Sequence, residues 1–274
     1  MYVEGGQASQ ADCTARMMRR YFLIDGALVY DALCNLSLFM DPTVNWCVPL
    51  LPTEERCLVG PILIDMALVE AAGTEVQAAV DTILGGFPGR LHCSTLQSQA
   101  DLITLASHLQ RFTCFYDQDT ILLGLRFADT RILRHLPEIL TLQQWGEMTG
   151  PIEQWSMLDR RGEEVVLTLP EDRIRLIPED KQFALSCAQL AALAKRAEPD
   201  MLLDQLDCTP QKMAGHLHEH WSLARECIAL WQESGSGNQD VLLSFARKVF
   251  SSKGQALQER EWVEFLVHAR PQDI

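Results

Sequence analysis

No lysine occurs before Lys181, and the formal net charge is -14. Without a basic surplus there is nothing to drive the counterion release behind binding to nucleic acid or anionic lipid. Neither nucleic acid nor a membrane surface is expected as a partner. No apolar run approaches the roughly 20 residues that a membrane-spanning helix needs. The opening MYVEGGQASQADCTARMMRR also lacks the apolar stretch of a signal peptide. The motif C-x-x-C is absent, and the nine cysteines are odd in number, scattered and mostly set in apolar runs. That usage predicts small buried hydrophobes in a reducing compartment rather than a disulfide framework. The expected location is cytoplasmic.

Chemistry is scarce as well. No serine sits in G-x-S-x-G. GGFPG at 85–89 lacks the Lys-Ser/Thr of a phosphate-binding loop and reads as a turn. Asp117 and Asp119 resemble a carboxylate pair but fall between two strand-like runs, where turn residues belong. His92 and Cys93 are neighbours in a strand-like run, so their side chains point to opposite faces. The one metal candidate is HLHEHW at 216–221, where His216 and His220 stand four residues apart, a helical spacing that can chelate zinc. Cys227 is placed to share that face, His218 points elsewhere, H-E-x-x-H is absent and no fourth ligand is evident. A metal-dependent or small-molecule enzyme built on this helix is therefore the alternative reading, and the plainer one is a polar helix face. No catalytic residue and no cofactor is expected.

What is present is ordinary globular material, 47% hydrophobic and 22% charged, long enough for one large domain or two smaller ones. In the first half strand-like and helix-like patterns alternate. Residues 21–24 form an apolar run ended by Asp25-Gly26, and Leu28, Leu33, Leu36 and Phe39 recur at near-helical spacing. Residues 57–65, CLVGPILID, look like an edge or bulged strand because Gly60-Pro61 interrupts them. Thr74 precedes a helix carrying Val76, Val80 and Ile83, and Ser98 is expected to cap one carrying Leu102, Leu105 and Leu109. Residues 112–116 and 121–127 read as a hairpin, and 152–158 with 165–169 as another. Between them Asp129 is the expected cap of a helix that Pro137 kinks or divides. From about 178 onward the pattern is all-helical: a helix across EDKQFALSCAQLAALAKRA, one opened by Thr209-Pro210 and ending near Glu233, then two more near 240–252 and 255–268. The fold class is thus α+β, an N-terminal mixed α/β lobe followed by an all-helical C-terminal lobe. Its expected divisions are an extension at 1–19, the α/β lobe at 20–175 and the helical lobe at 176–274.

The richest segment is 125–155, LRFADTRILRHLPEILTLQQWGEMTGPIEQW, ordered throughout yet without a nucleophile–base pair. Together with YFLIDGAL, GPILID, Ser98 and SHLQRF before it, and with Gln143 or Gln144 and GPIEQW closing it, it sets a sequence of short words. This order resembles the adaptor-chaperone domain of bacterial type VI secretion, over roughly residues 20–160. Arg126, Phe127, Asp129, Arg131 and Leu133 match that family's R-F-x-D-P-R-x-L word, with Ala128 where an aromatic is usual and Thr130 where proline is usual. His108 and Leu109 match its H-L-R triplet, with Gln110 in place of the arginine. The resemblance implies a non-enzymatic adaptor. Such a protein binds a toxic effector and helps load it onto the valine-glycine repeat (VgrG) spike protein. Arg126, Asp129 and Arg131 are the residues carried over as partner-binding.

Overall fold

The computed structural model describes residues 17–41, 43–51, 58–117, 121–172, 182–213 and 215–274. The chain opens with β1 (Arg19–Asp25), whose Asp25 caps a 3-10 turn at Gly26–Val29 and leads into the short helices α1 (Tyr30–Asn35) and α2 (Ser37–Met40). Strands β2 (Cys47–Pro49) and β3 (Pro61–Asp65) come next, then α3 (Met66–Ala72), α4 (Thr74–Gly85) and β4 (Cys93–Ser98). Helix α5 (Leu102–Gln110) precedes a small hairpin of β5 (Cys114–Tyr116) and β6 (Leu122–Gly124). Three short helices, α6 (Thr130–Leu133), α7 (Leu136–Ile139) and α8 (Leu142–Met148), lead to β7 (Ile152–Leu158) and β8 (Glu164–Val166). Helices α9 (Cys187–Gln205), α10 (Leu217–Glu233), α11 (Gln239–Ser251) and α12 (Trp262–His268) complete it. The α+β class is as expected.

The main sheet has the order β2-β3-β1-β4-β7-β8, with every neighbouring pair antiparallel. Alternation along the strands sends side chains to two covered faces. Tyr21, Leu23, Leu63, Leu96 and Trp155 pack with α5 and the 125–148 segment. Ile24, Ile62, Ile64 and Cys93 pack with α4 and also with Leu203, Cys227, Phe245 and Trp262 of the C-terminal helices. One apolar cluster therefore joins the sheet to the helical part of the chain.

Several expectations need correcting. Strand β3 is not an edge: it begins at Pro61, where a missing N–H is tolerated, and lies fully buried between β2 and β1. The edge on that side is β2, three residues within the apolar stretch WCVPLL at 46–51, where Pro49 argues against a strand. Cys57 lies outside the described residues. Asp101, not Ser98, caps α5, accepting from the Thr104 amide at 2.8 Å, while Ser98 ends β4 and donates to the Pro151 carbonyl at 2.6 Å. Helix α9 begins only after Ser186, whose side chain forms a capping box with Gln189, and Ala184 instead makes a parallel bridge to Tyr116. The acids of 179–180 lie outside the described residues. Helix α10 starts at Leu217, and Thr209-Pro210 opens only an isolated turn in which the Thr209 carbonyl accepts from the Lys212 and Met213 amides. The stretch expected as one helix over Leu28–Phe39 is broken into a 3-10 turn, α1 and α2. Pro137 does divide its helix, into α6 and α7, and both expected hairpins are present.

Candidate functional site

The word residues of the sequence meet in space. Asp129 is buried and caps α6 through the Arg131 amide at 3.0 Å. The Arg131 guanidinium returns to the same carboxylate with Nε at 2.9 Å from Oδ1 and Nη2 at 2.7 Å from Oδ2. Arg126 reaches Asp129 at 3.6 Å and, across 101 positions of sequence, Asp25 at 3.0 Å. YFLIDGAL and LRFADTRIL are thereby tied through the aspartates that begin their helical turns. Burial pushes the Asp25 carboxyl above its usual range, opposed by the Arg126 charge. Burial alone would lower the Arg131 pKa, but the Asp129 hydrogen bonds and charge reverse this and raise it.

Other word residues serve the fold. Phe127 is fully buried edge-on to Trp155, which stacks on Trp145 at 5.7 Å. Thr130 donates both its amide and its hydroxyl to the Leu91 carbonyl, each at 2.9 Å; a proline there would lack both donors. Of the two candidate glutamines, Gln144 makes the cross-links, donating to the Ala184 carbonyl and accepting from Gln189. His108 donates to the Met148 carbonyl, and burial lowers its pKa.

Arg126, Asp129 and Arg131 all line one open cleft of about 390 Å³ between the β5–β6 hairpin, α6 and α9. Its apolar walls are Phe115, Ile132, Leu190 and Leu193, and Asp200 and Asp204 add carboxylates along α9. Arg126 offers half its side chain to solvent, whereas Arg131 offers 14%. The hairpin that borders the cleft was legible as a pair of strands, but its exposure was not. All of β6 is exposed, and Ile121 and Leu122 are 55% and 56% accessible. Strand β5 pairs on one side with β6 and on the other meets Ala184, so among the described strands the outer edge of β6 has no partner. Such edges are normally blunted with charge, proline or a bulge.

The remaining candidates disperse. His216 precedes α10 rather than lying in it, and its ring centroid is 6.2 Å from that of His220. The Nδ1–H of His220 is donated to the His216 carbonyl at 2.8 Å, and the His220 ring lies 5.7 Å from Phe250. His218 accepts from Arg161 at 2.9 Å, and Cys227 is buried with its thiol pushed up to about 12 by desolvation. Among the described residues no group of three His, Cys, Asp or Glu is placed to hold a metal ion. Asp117 accepts from the Ile121 amide as a turn residue, and Asp119 lies outside the described residues. His92 is buried, its pKa lowered to about 4 by desolvation, and Cys93 beside it is pushed up to about 12 for the same reason. Among the described residues no helix is long and apolar enough to cross a membrane.

The chain is thus an α+β protein whose best-formed candidate site is an amphipathic cleft beside an apolar strand, β6, whose outer edge has no partner among the described strands. Residues 20–147 match the model of a family described as a domain of unknown function, DUF4123. That match takes in the Asp25–Arg126–Asp129–Arg131 network but stops short of β7 and β8, which complete the sheet. No curated protein and no solved structure matches the chain.

Proposed function

We propose that this protein is a non-enzymatic adaptor. It binds a type VI secretion effector and helps place it on the VgrG spike protein. The similarity of the ordered sequence words to that adaptor family supports the secretion context. The observation that carries the binding role is the cleft itself: Arg126, Asp129 and Arg131 line it, and the apolar, edge-exposed β6 borders it. An extended effector segment adding to β6 gains main-chain hydrogen bonds along the edge and apolar contacts from Ile121 and Leu122. Covering such a strand in the adaptor also covers an aggregation-prone strand in the effector.

Co-expression of the chain with the spike protein and the effector encoded beside it tests this reading. A complex with either that survives size-exclusion chromatography is the expected result. No complex with either overturns it.

A further inference from the structure

In this acidic chain, guanidinium groups converge at one place. Trp221 of α10 has the Cζ atoms of Arg134, Arg160 and Arg225 at 5.8, 5.1 and 4.8 Å from its ring centroid. Arg161 lies next in the chain to Arg160 and donates to His218, one turn before Trp221. Arg196, paired with Glu138, is near enough to affect His135. Among the described residues only the Asp200 carboxylate answers Arg160, taking two bonds from its Nη2 at 2.8 and 2.7 Å. Among the described residues Arg134, Arg161 and Arg225 have no carboxylate within ion-pair distance, and the Asp159 carboxylate nearby is used by the Arg161 and Glu163 amides. Two donors at the centre are buried and unanswered: Nε of Arg160, a residue only 7% exposed, and Nε1 of Trp221.

The surroundings register the excess charge. His135 is pushed down to about 4, by burial first and then by Arg134, Arg196 and Arg160. Arg160 is lowered by burial and, despite Asp200, further by Arg131 and Arg134. Like charges held this close are stabilised by an added anion, and buried donors are normally satisfied.

We infer that the Trp221 seam is a docking site for the carboxylates of an acidic protein segment, with Arg134 and Arg225 as its outer contacts. Asp200 on Arg160 is the internal precedent for the chemistry, a carboxylate held by one guanidinium nitrogen, Nη2, while Nε of the same group has no partner. The overall negative charge of the chain repels polyanions at a distance, which selects partners with short acidic stretches over nucleic acid. This surface does not include β6, although Asp200 lies between it and the cleft, and it stands whether or not the adaptor reading holds.

The test uses the full chain and an N-acetylated tetraglutamate peptide, followed by calorimetry and by the tryptophan indole N–H resonances. Saturable binding that moves the Trp221 resonance is expected, with Trp221→Phe providing the assignment. Affinity should fall at least tenfold in the Arg134→Gln/Arg225→Gln variant. It should be unchanged in Arg260→Gln, which removes a guanidinium from a different indole, Trp262. Far-UV circular dichroism establishes that each variant is folded; if the double variant is not, Arg225→Gln alone, at an exposed position, gives the same comparison. No saturable binding, equal loss in Arg260→Gln, or tighter binding of inorganic phosphate or of a single-stranded oligonucleotide at the same resonance overturns the assignment.

Discussion

Asp129 holds three partners at once: the Arg131 amide that opens α6, the guanidinium of Arg131 and, at 3.6 Å, that of Arg126. Replacing it with alanine removes a helix cap, worth about 1 kcal/mol, and leaves a mostly buried arginine unpaired, worth about 3–5 kcal/mol. Asp129→Ala should therefore lose at least about 3 kcal/mol by urea denaturation, while Arg126→Ala, at a half-exposed position, should lose far less. A partner that reads Arg126 directly should show the opposite order, with binding more sensitive to Arg126→Ala than stability is. His92 carries a pH prediction. Its folded pKa of about 4 lies below the 6.5 of the exposed ring. Between those values the unfolded chain takes up a proton that the folded chain refuses, so this contribution is complete above 6.5 and is lost as pH falls through 4. At roughly 1.4 kcal/mol per tenfold change the loss approaches about 3 kcal/mol. Denaturation midpoints from pH 7 to pH 4 measure it, and His92→Gln, which keeps a donor for the Ile83 carbonyl, should flatten that slope.

Elements announced by paired signals were readable in advance. The turn residues between β7 and β8 and Pro137 in the first turn of α7 each name a local conformation that the fold keeps. Elements set by distant partners were not. Strand β2 exists because β3 offers it an edge, and α3 begins where Asp65, read as the end of a strand, turns its side chain onto the Ala67 amide. The charge network at the candidate site was legible only as residues, since nothing in LRFADTRIL says that Arg126 will find Asp25. The 3-10 turn that follows β1 yields a sharp prediction. A Cβ on Gly26 would lie 1.9 Å from the Leu58 carbonyl oxygen, a backbone atom that cannot swing away. Gly26→Ala should cost more than about 2 kcal/mol, the scale of severe overpacking, and should be recovered mostly in inclusion bodies. At the hairpin the reverse holds: Leu122→Lys, on a fully exposed strand, should change stability by less than about 0.5 kcal/mol. The same change should abolish co-purification of an effector that pairs with β6.

For the whole molecule, the cluster that joins Ile24 and Ile64 to Phe245 and Trp262 makes sheet and C-terminal helices one cooperative unit. Phe245→Ala, in the middle of α11, should lose about 3–5 kcal/mol. It should do so in a single transition, with tryptophan fluorescence and far-UV circular dichroism coinciding. Two separate transitions, with α9 to α12 melting first, would show instead that the helices are an independent lobe. The order β2-β3-β1-β4-β7-β8 has a consequence for a chain emerging from a ribosome. Strand β1 gains both neighbours by residue 98, but β4 waits for β7, more than 50 residues later, and the opposite face waits for Leu266. At synthesis rates of roughly 5–20 residues per second the nascent protein spends several seconds with a bare strand and an uncovered apolar face. A protein read here as guarding another chain from exposure thus passes through that hazard itself, which makes its own yield in the cell sensitive to translation speed and to general chaperones.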